Sequence, residues 1–183
     1  IRALKEHYKL TNIEIYEAYA EDINFNEGTF DIAFARQCMH HAYDLKKFVL
    51  EMAKVLKTKG MFFTVRDHVV FNMDDKEWFL ECHPLQKFYG GENAFTPSEY
   101  KDAITESGLL LKEELKYYDT VINYFPESQE NIEFLKRFIL YSSKYGCLIS
   151  LIPYFKNRRI KFGLEQNEKK IPGRMYSYIA IKS

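Results

Sequence analysis

Apolar and polar positions along the chain change period several times, and each change marks an element. Ile13 to Tyr19 alternates apolar and polar residues and predicts a strand. A turn cluster, Asn24 to Thr29, separates it from Phe30 to Ala35, an almost wholly apolar run of the kind a parallel strand buried on both faces shows. Leu45, Phe48, Val49, Met52, Val55 and Leu56 then recur at helical spacing, with Lys46, Lys47, Glu51 and Lys54 on the opposite face. Asp44 is an N-cap for this helix, and Lys57, Lys59 and Gly60 suit its carboxyl end, so the pattern predicts a helix ending at Lys59-Gly60. Met61 to Val65 is the next buried strand.

The pattern loosens over 69–95, where Trp78-Phe79-Leu80 fits a short helix and Gly90-Gly91 a turn. Thr96, Pro97 and Glu99 then form a helix start, with Tyr100, Ala103 and Ile104 as its inner stripe and Gly108 as its end. A strand over 109–118, an aromatic-rich helix over 126–145, an apolar stretch 147–155, a basic loop 156–170 and a last strand 175–181 complete the reading.

Strand, helix and strand in alternation predict an α/β sheet, mostly parallel, whose strands present ligands at their carboxyl ends. Three such ends are legible: Glu21-Asp22-Ile23, Arg36-Gln37-Cys38 and Arg66-Asp67-His68. Asp22, Arg36, His40, His41, Asp67 and His68 are therefore expected around one crevice.

Composition narrows this only a little. At 183 residues, 46% hydrophobic and 28% charged, the chain is one domain's worth of globular sequence, with no stretch long enough to span a bilayer and no signal peptide at its start. Cys38, Cys82 and Cys147 lack any CxxC spacing, and with the five histidines they suggest no metal-ligand set. They read as reduced thiols of a cytoplasmic protein. Net charge is zero, yet residues 136–183 carry eleven Lys/Arg against Glu165 and Glu168 alone. That basic segment is either a solvated surface or a steering surface for an anionic partner; no RNA-binding motif accompanies it.

The stretch Ala20-Glu21-Asp22, Gly28-Thr29-Phe30-Asp31, His40-His41, Asp44, Val55-Leu56-Lys57 and Gly60 resembles the middle of the class I S-adenosylmethionine-dependent methyltransferases over roughly residues 13–68. The resemblance implies a Rossmann-like sheet whose last strand is antiparallel, and S-adenosyl-L-methionine as cofactor. It implies that Asp22, with Glu21 beside it, meets the adenine amine and that Ile23 offers backbone and an apolar contact. Arg36 and Gln37 would pass the methionine moiety, and His41 would lie close to the pocket. The family's first two strands, glycine-rich loop and ribose-binding acid have no counterpart here, since no GxG occurs among the eight glycines. The chain thus reads as a single partial methyltransferase domain, a fragment lacking the strands that separate 13–19 from 30–35. Strand 30–35 becomes an exposed apolar edge through which the protein can self-associate.

Insertions at about 69–95 and 120–172 are expected to form an acceptor-binding cap. Tyr89, Glu92, Arg158 and Arg159 are the expected contacts to a small-molecule acceptor, anionic or saccharide, with His68 or His83 as the base if one is needed. Tyr124, Phe125, Phe134, Phe138 and Tyr141 either cover the acceptor or form plain core. Two other readings compete: a different Rossmann-like nucleotide-dependent enzyme, and a non-catalytic module that docks through 136–183.

Overall fold

The computed structural model describes residues 1–83, 86, 88 and 91–183. The predicted Gly90 turn residue and Tyr89 lie outside the described residues.

Four strands form one sheet: β1 (Phe30–Arg36), β2 (Leu56–Val69), β3 (Leu109–Leu115) and β4 (Arg174–Lys182), in the order β1-β2-β4-β3. β1 and β2 pair in parallel, with Arg36 opposite Val65, while β4 runs antiparallel to both β2 and β3. Three strands therefore share a direction and only the last in sequence opposes them. The parallel pair needs a crossover, and α2 (Leu45–Val55) supplies it, capped by the Asp44 carboxylate accepting from the Lys47 N–H at 3.0 Å.

Helix α2 is shorter than its hydrophobic period suggests. Leu56 is already extended and fully buried as the first residue of β2. The predicted cap at Lys59-Gly60 does not form; residues 57–60 instead make an excursion between the Phe30↔Leu56 and Ile32↔Met61 pairings. Lys59 takes the left-handed conformation, and Gly60 is required by close approach, since a Cβ there would stand 2.8 Å from the Lys57 carbonyl oxygen and 3.1 Å from that of Asp31.

The predicted strand 13–19 is also absent. That segment forms no regular structure, apart from a bridge between Tyr19 and Asp22, because no strand among the described residues pairs with it to take up its backbone groups. Helix α1 (Arg2–His7) likewise buries no residue. β1 is the sheet's edge, with Ile32 and Phe34 58% and 63% exposed.

One face of the sheet packs against α2 and α4 (Pro97–Glu106), which also touch each other. Met39, Phe48, Val49, Leu56, Phe62, Tyr100, Ile104 and Tyr178 fill the space between. The capping box at the start of α4 is formed as read, with the Thr96 N–H donating to Glu99 at 2.7 Å and the Glu99 N–H to the Thr96 hydroxyl at 3.2 Å. Helix α3 (Met73–Cys82) closes a smaller cluster of Val70, Phe79 and Ala94.

Beyond β3 the chain is helical: α5 (Val121–Tyr124), α6 (Gln129–Tyr141), α7 (Gly146–Ser150) and α8 (Pro153–Glu168). The stretch 156–170 was expected as a loop because its charge hides any apolar period. Pro153 at the first helical position and a run of helix-favouring Lys, Arg, Gln and Glu make it helix instead. Gly163 lets α8 approach α6 closely, since a Cβ there would lie 2.3 Å from Ile139. No described helix is long and apolar enough to cross a membrane.

Candidate functional site

The carboxyl ends of β1 and β2 converge through one buried side chain, Asp67. Residues 65 and 66 form a bulge between the Thr64↔Tyr178 and Asp67↔Tyr176 pairings, with Arg66 in the left-handed region at φ 63°. Three residues apart on a regular strand would face opposite sides; the extra residue puts Thr64 and Asp67 on the same buried face. Both are fully buried. Asp67 Oδ1 accepts from the Met39 N–H at 2.9 Å, the His40 N–H at 3.3 Å and His40 Nδ1 at 3.1 Å, and its Oδ2 accepts from the Thr64 hydroxyl. The 3-10 turn Met39–His41 that follows β1 is thus tied to β2.

Four histidines and a second carboxylate surround this tether. His40, held by Asp67 through Nδ1, keeps Nε2 free and directs it to Glu92 Oε2 at 3.9 Å. His41 Nδ1 lies 3.2 Å from the same oxygen, and His83 Nδ1 lies 3.9 Å from Glu92 Oε1. The Glu92 side chain is only 4% exposed. His68 packs edge-on against the His40 ring at 4.7 Å, and its Nδ1–H donates to the Gly173 carbonyl at 2.8 Å. Burial pushes the His68 pKa down to about 4, so the ring is neutral at neutral pH and a poor proton acceptor there. Burial, with the neighbouring His40, also lowers His41. The Cys38 thiol is pushed up to about 11 by burial and by the charge of Asp67.

The other expected site residues fall into three groups. Glu21 joins the rim, accepting from the Tyr43 N–H at 3.0 Å. Asp22 is exposed and its carboxylate has no partner among the described residues, while both backbone groups of Ile23 are engaged: the N–H donates to Glu51 at 3.1 Å and the carbonyl accepts from the Phe25 N–H at 2.9 Å. Arg36 and Gln37 are exposed at the end of β1, Gln37 in the left-handed region at φ 49°. Arg158 and Arg159 are not brought to this rim. They sit on α8, where the Arg159 Nε donates to the Ile139 and Leu140 carbonyls at 3.0 and 3.3 Å at the end of α6. The aromatic stripe splits: Tyr124 is buried, whereas Phe125, Phe134, Phe138 and Tyr141 are exposed. Tyr89 lies outside the described residues. Sequence spacing gave no sign that Glu92 meets His40 and His41, 52 and 51 residues earlier in the chain.

Comparison with known proteins follows the fold. Residues 1–64 match the methyltransferase domain family. A stretch of 57 residues is 40% identical to an uncharacterized methyltransferase, YcgJ of Bacillus subtilis, and covers 31% of this chain and 22% of that protein. The solved structure of YcgJ superposes with a TM-score of 0.58 at 20% identity, over 99% of this chain and 76% of that one. Geranyl diphosphate C-methyltransferase from Streptomyces coelicolor A3(2), solved with Mg2+, geranyl diphosphate and S-adenosyl-L-homocysteine, gives 0.62 at 13% identity, over 100% of this chain and 58% of that one.

Proposed function

We infer, from a fold and an opening third that are those of the class I methyltransferases, that this chain takes part in S-adenosylmethionine-dependent methyl transfer to a small molecule. The observation that carries this reading is the sheet itself: order β1-β2-β4-β3 with only β4 reversed, and the carboxyl ends of β1 and β2 side by side, where such sheets bind their ligands.

The residues present fit the cofactor's adenosine and methionine ends. Asp22 has an unpartnered carboxylate to accept from an amine, with Glu21 fixed beside it; Ile23 contributes its side chain only. Arg36 and Gln37 face solvent at the end of β1, where a carboxylate can pair with the guanidinium. When bound, S-adenosylmethionine supplies an activated methyl group that is lost by in-line displacement. The protein's share is to hold the acceptor in line about 3 Å away. His68 and His83 wall the crevice and exclude water, and a neutral His68 suits an acceptor that brings its own nucleophile.

The helical segments within 69–95 and 120–172 are the acceptor side. The first brings His83 and Glu92 to the crevice. The second touches β2 through Arg66, whose guanidinium donates to the Phe125 carbonyl at 3.0 Å and to that of Ile122. An anionic small-molecule acceptor agrees with a structural neighbour named for geranyl diphosphate; the saccharide alternative has no such support. The apolar, unpaired edge of β1 supports self-association.

Equilibrium binding of S-adenosyl-L-homocysteine tests the reading. Saturable binding tighter than about 1 mM, roughly −4 kcal/mol, is expected, because the glycine loop's contacts are not in this chain. Asp22→Ala should weaken it at least tenfold and Arg158→Ala should leave it unchanged. Absence of binding, or equal binding by Asp22→Ala, refutes the assignment.

A further inference from the structure

His40, His41 and Glu92 have a geometry that methyl transfer does not ask for. His40 Nε2, His41 Nδ1 and Glu92 Oε2 all lie within 4.8 Å of one another. Glu92 Oε2 is buried, on a side chain 4% exposed, and accepts no hydrogen bond among the described residues. His41 is near enough, at 3.2 Å, but its N–H is out of line. A buried carboxylate oxygen without a donor is costly, and native structures answer such an oxygen with a proton donor or a cation.

The geometry points to a divalent transition-metal site, with Zn2+ as the best match, ligated by His40 Nε2, His41 Nδ1 and Glu92 Oε2. A tetrahedral ion with bonds of about 2.0–2.1 Å keeps its ligands roughly 3.3 Å apart. The separations of 3.2 Å and 3.9 Å from Glu92 Oε2 to the two histidines bracket that value. His40 is prepared for the task as a ligand histidine usually is: its far nitrogen is held by the buried Asp67 carboxylate, which fixes the ring and leaves Nε2 to the metal. Two imidazoles and one carboxylate suit Zn2+ or Co2+ better than Mg2+ or Ca2+, which favour oxygen ligands throughout. Three protein ligands leave one position open to water or an anionic group, and His41, 42% exposed, marks the way in. His83 Nδ1, also without a hydrogen-bond partner among the described residues, stands 3.9 Å from the second Glu92 oxygen. The site does not depend on the methyltransferase reading.

The test is metal binding by the purified chain after chelator dialysis. Calorimetry with ZnCl2 should give about one ion per chain, CoCl2 should give the visible bands of a tetrahedral ion, and Zn2+ should raise Tm where Mg2+ does not. His41→Ala, at a half-exposed ring, and the isosteric Glu92→Gln should each weaken Zn2+ at least tenfold, with the far-ultraviolet spectrum unchanged. Cys82→Ser should have no effect. Binding that is absent at 0.1 mM Zn2+, or that both variants retain at full strength, overturns the site and leaves His41 and Glu92 as a simple imidazole–carboxylate pair. S-adenosyl-L-homocysteine binding, read on the same samples without metal, reports separately on methyl transfer.

Discussion

Removing the Asp67 carboxylate should cost this protein about as much as truncating a large side chain of its core. Asp67→Ala strands four donors in a fully buried position: the Met39 and His40 N–H groups, His40 Nδ1–H and the Thr64 hydroxyl. The hydroxyl can rotate toward another acceptor, but the two backbone groups cannot turn without dismantling the Met39–His41 turn. Hydrogen bonds to an ionised group contribute about 1.5–3 kcal/mol each, and breaking a buried charged network costs about 3–5 kcal/mol because its members are not additive. For a chain of this length that is a fall in Tm on the order of 10 °C. Asp67→Asn keeps Oδ1 for three of the donors and turns an amide toward Thr64, whose hydroxyl can accept instead, so its cost should be about 1 kcal/mol. Urea unfolding followed by circular dichroism and by Trp78, the single tryptophan, measures both. A loss below about 0.5 kcal/mol in Asp67→Ala, or equal losses in the two variants, would show that the tether does not hold the strand ends together.

Other outcomes follow from features already described. Thr96→Ala removes the α4 capping box and should cost about 1 kcal/mol in the same assay. Phe62→Ala, at a fully buried position, should cost about 3–5 kcal/mol through the cavity it leaves. Phe34→Lys on the β1 edge should shift sedimentation toward monomer while leaving the urea midpoint nearly unchanged. Burial raises the Glu168 carboxyl above the usual glutamate range, so the folded state holds that proton more tightly than the unfolded state. Stability contributed by this group is present below the unfolded value of about 4.3 and is lost as pH rises through the raised folded value. Glu168→Gln should remove that decline, seen as a parent-to-variant difference in urea midpoint that grows from pH 4 to pH 8 and reverses nowhere.

The parts of the fold legible in the sequence were those whose local and tertiary signals agree. α2, the Met61–Val65 part of β2 and the reversed last strand carry patterns that burial reinforces, the α4 capping box is local chemistry, and β1 was legible as an apolar run although most of it is exposed at the sheet's edge. Strand 13–19 had the period without a neighbour, and pairing, not alternation, makes a strand. Helix α8 (Pro153–Glu168) had the neighbour without the period, since charged residues on its exposed faces mask the positions that meet α6. At the site, strand ends led to Asp67 and His68, which the structure brings beside His40, but the bulge that turns Asp67 to the same face as Thr64 leaves no mark in composition. Glu92 was read as an acceptor contact beside the predicted Gly90-Gly91 turn, with nothing to link it to the histidines. Its partnership with His40 and His41 depends on where 91–95 crosses the sheet, which no local pattern records; the bridge between Val69 and Phe95 fixes that crossing.

The bulge at Arg66 separates two jobs that a regular strand would merge. Excising Arg66 would leave Thr64 and Asp67 two positions apart and still on one side of the pleat, so the strand end could survive its loss. What would go is the mooring of residues 122–125, which the Arg66 guanidinium grips by their carbonyls. One extra residue in β2 is thus enough to moor a helical segment 56 to 59 residues further along the chain to the strand's end, without disturbing the Asp67 tether on its buried side.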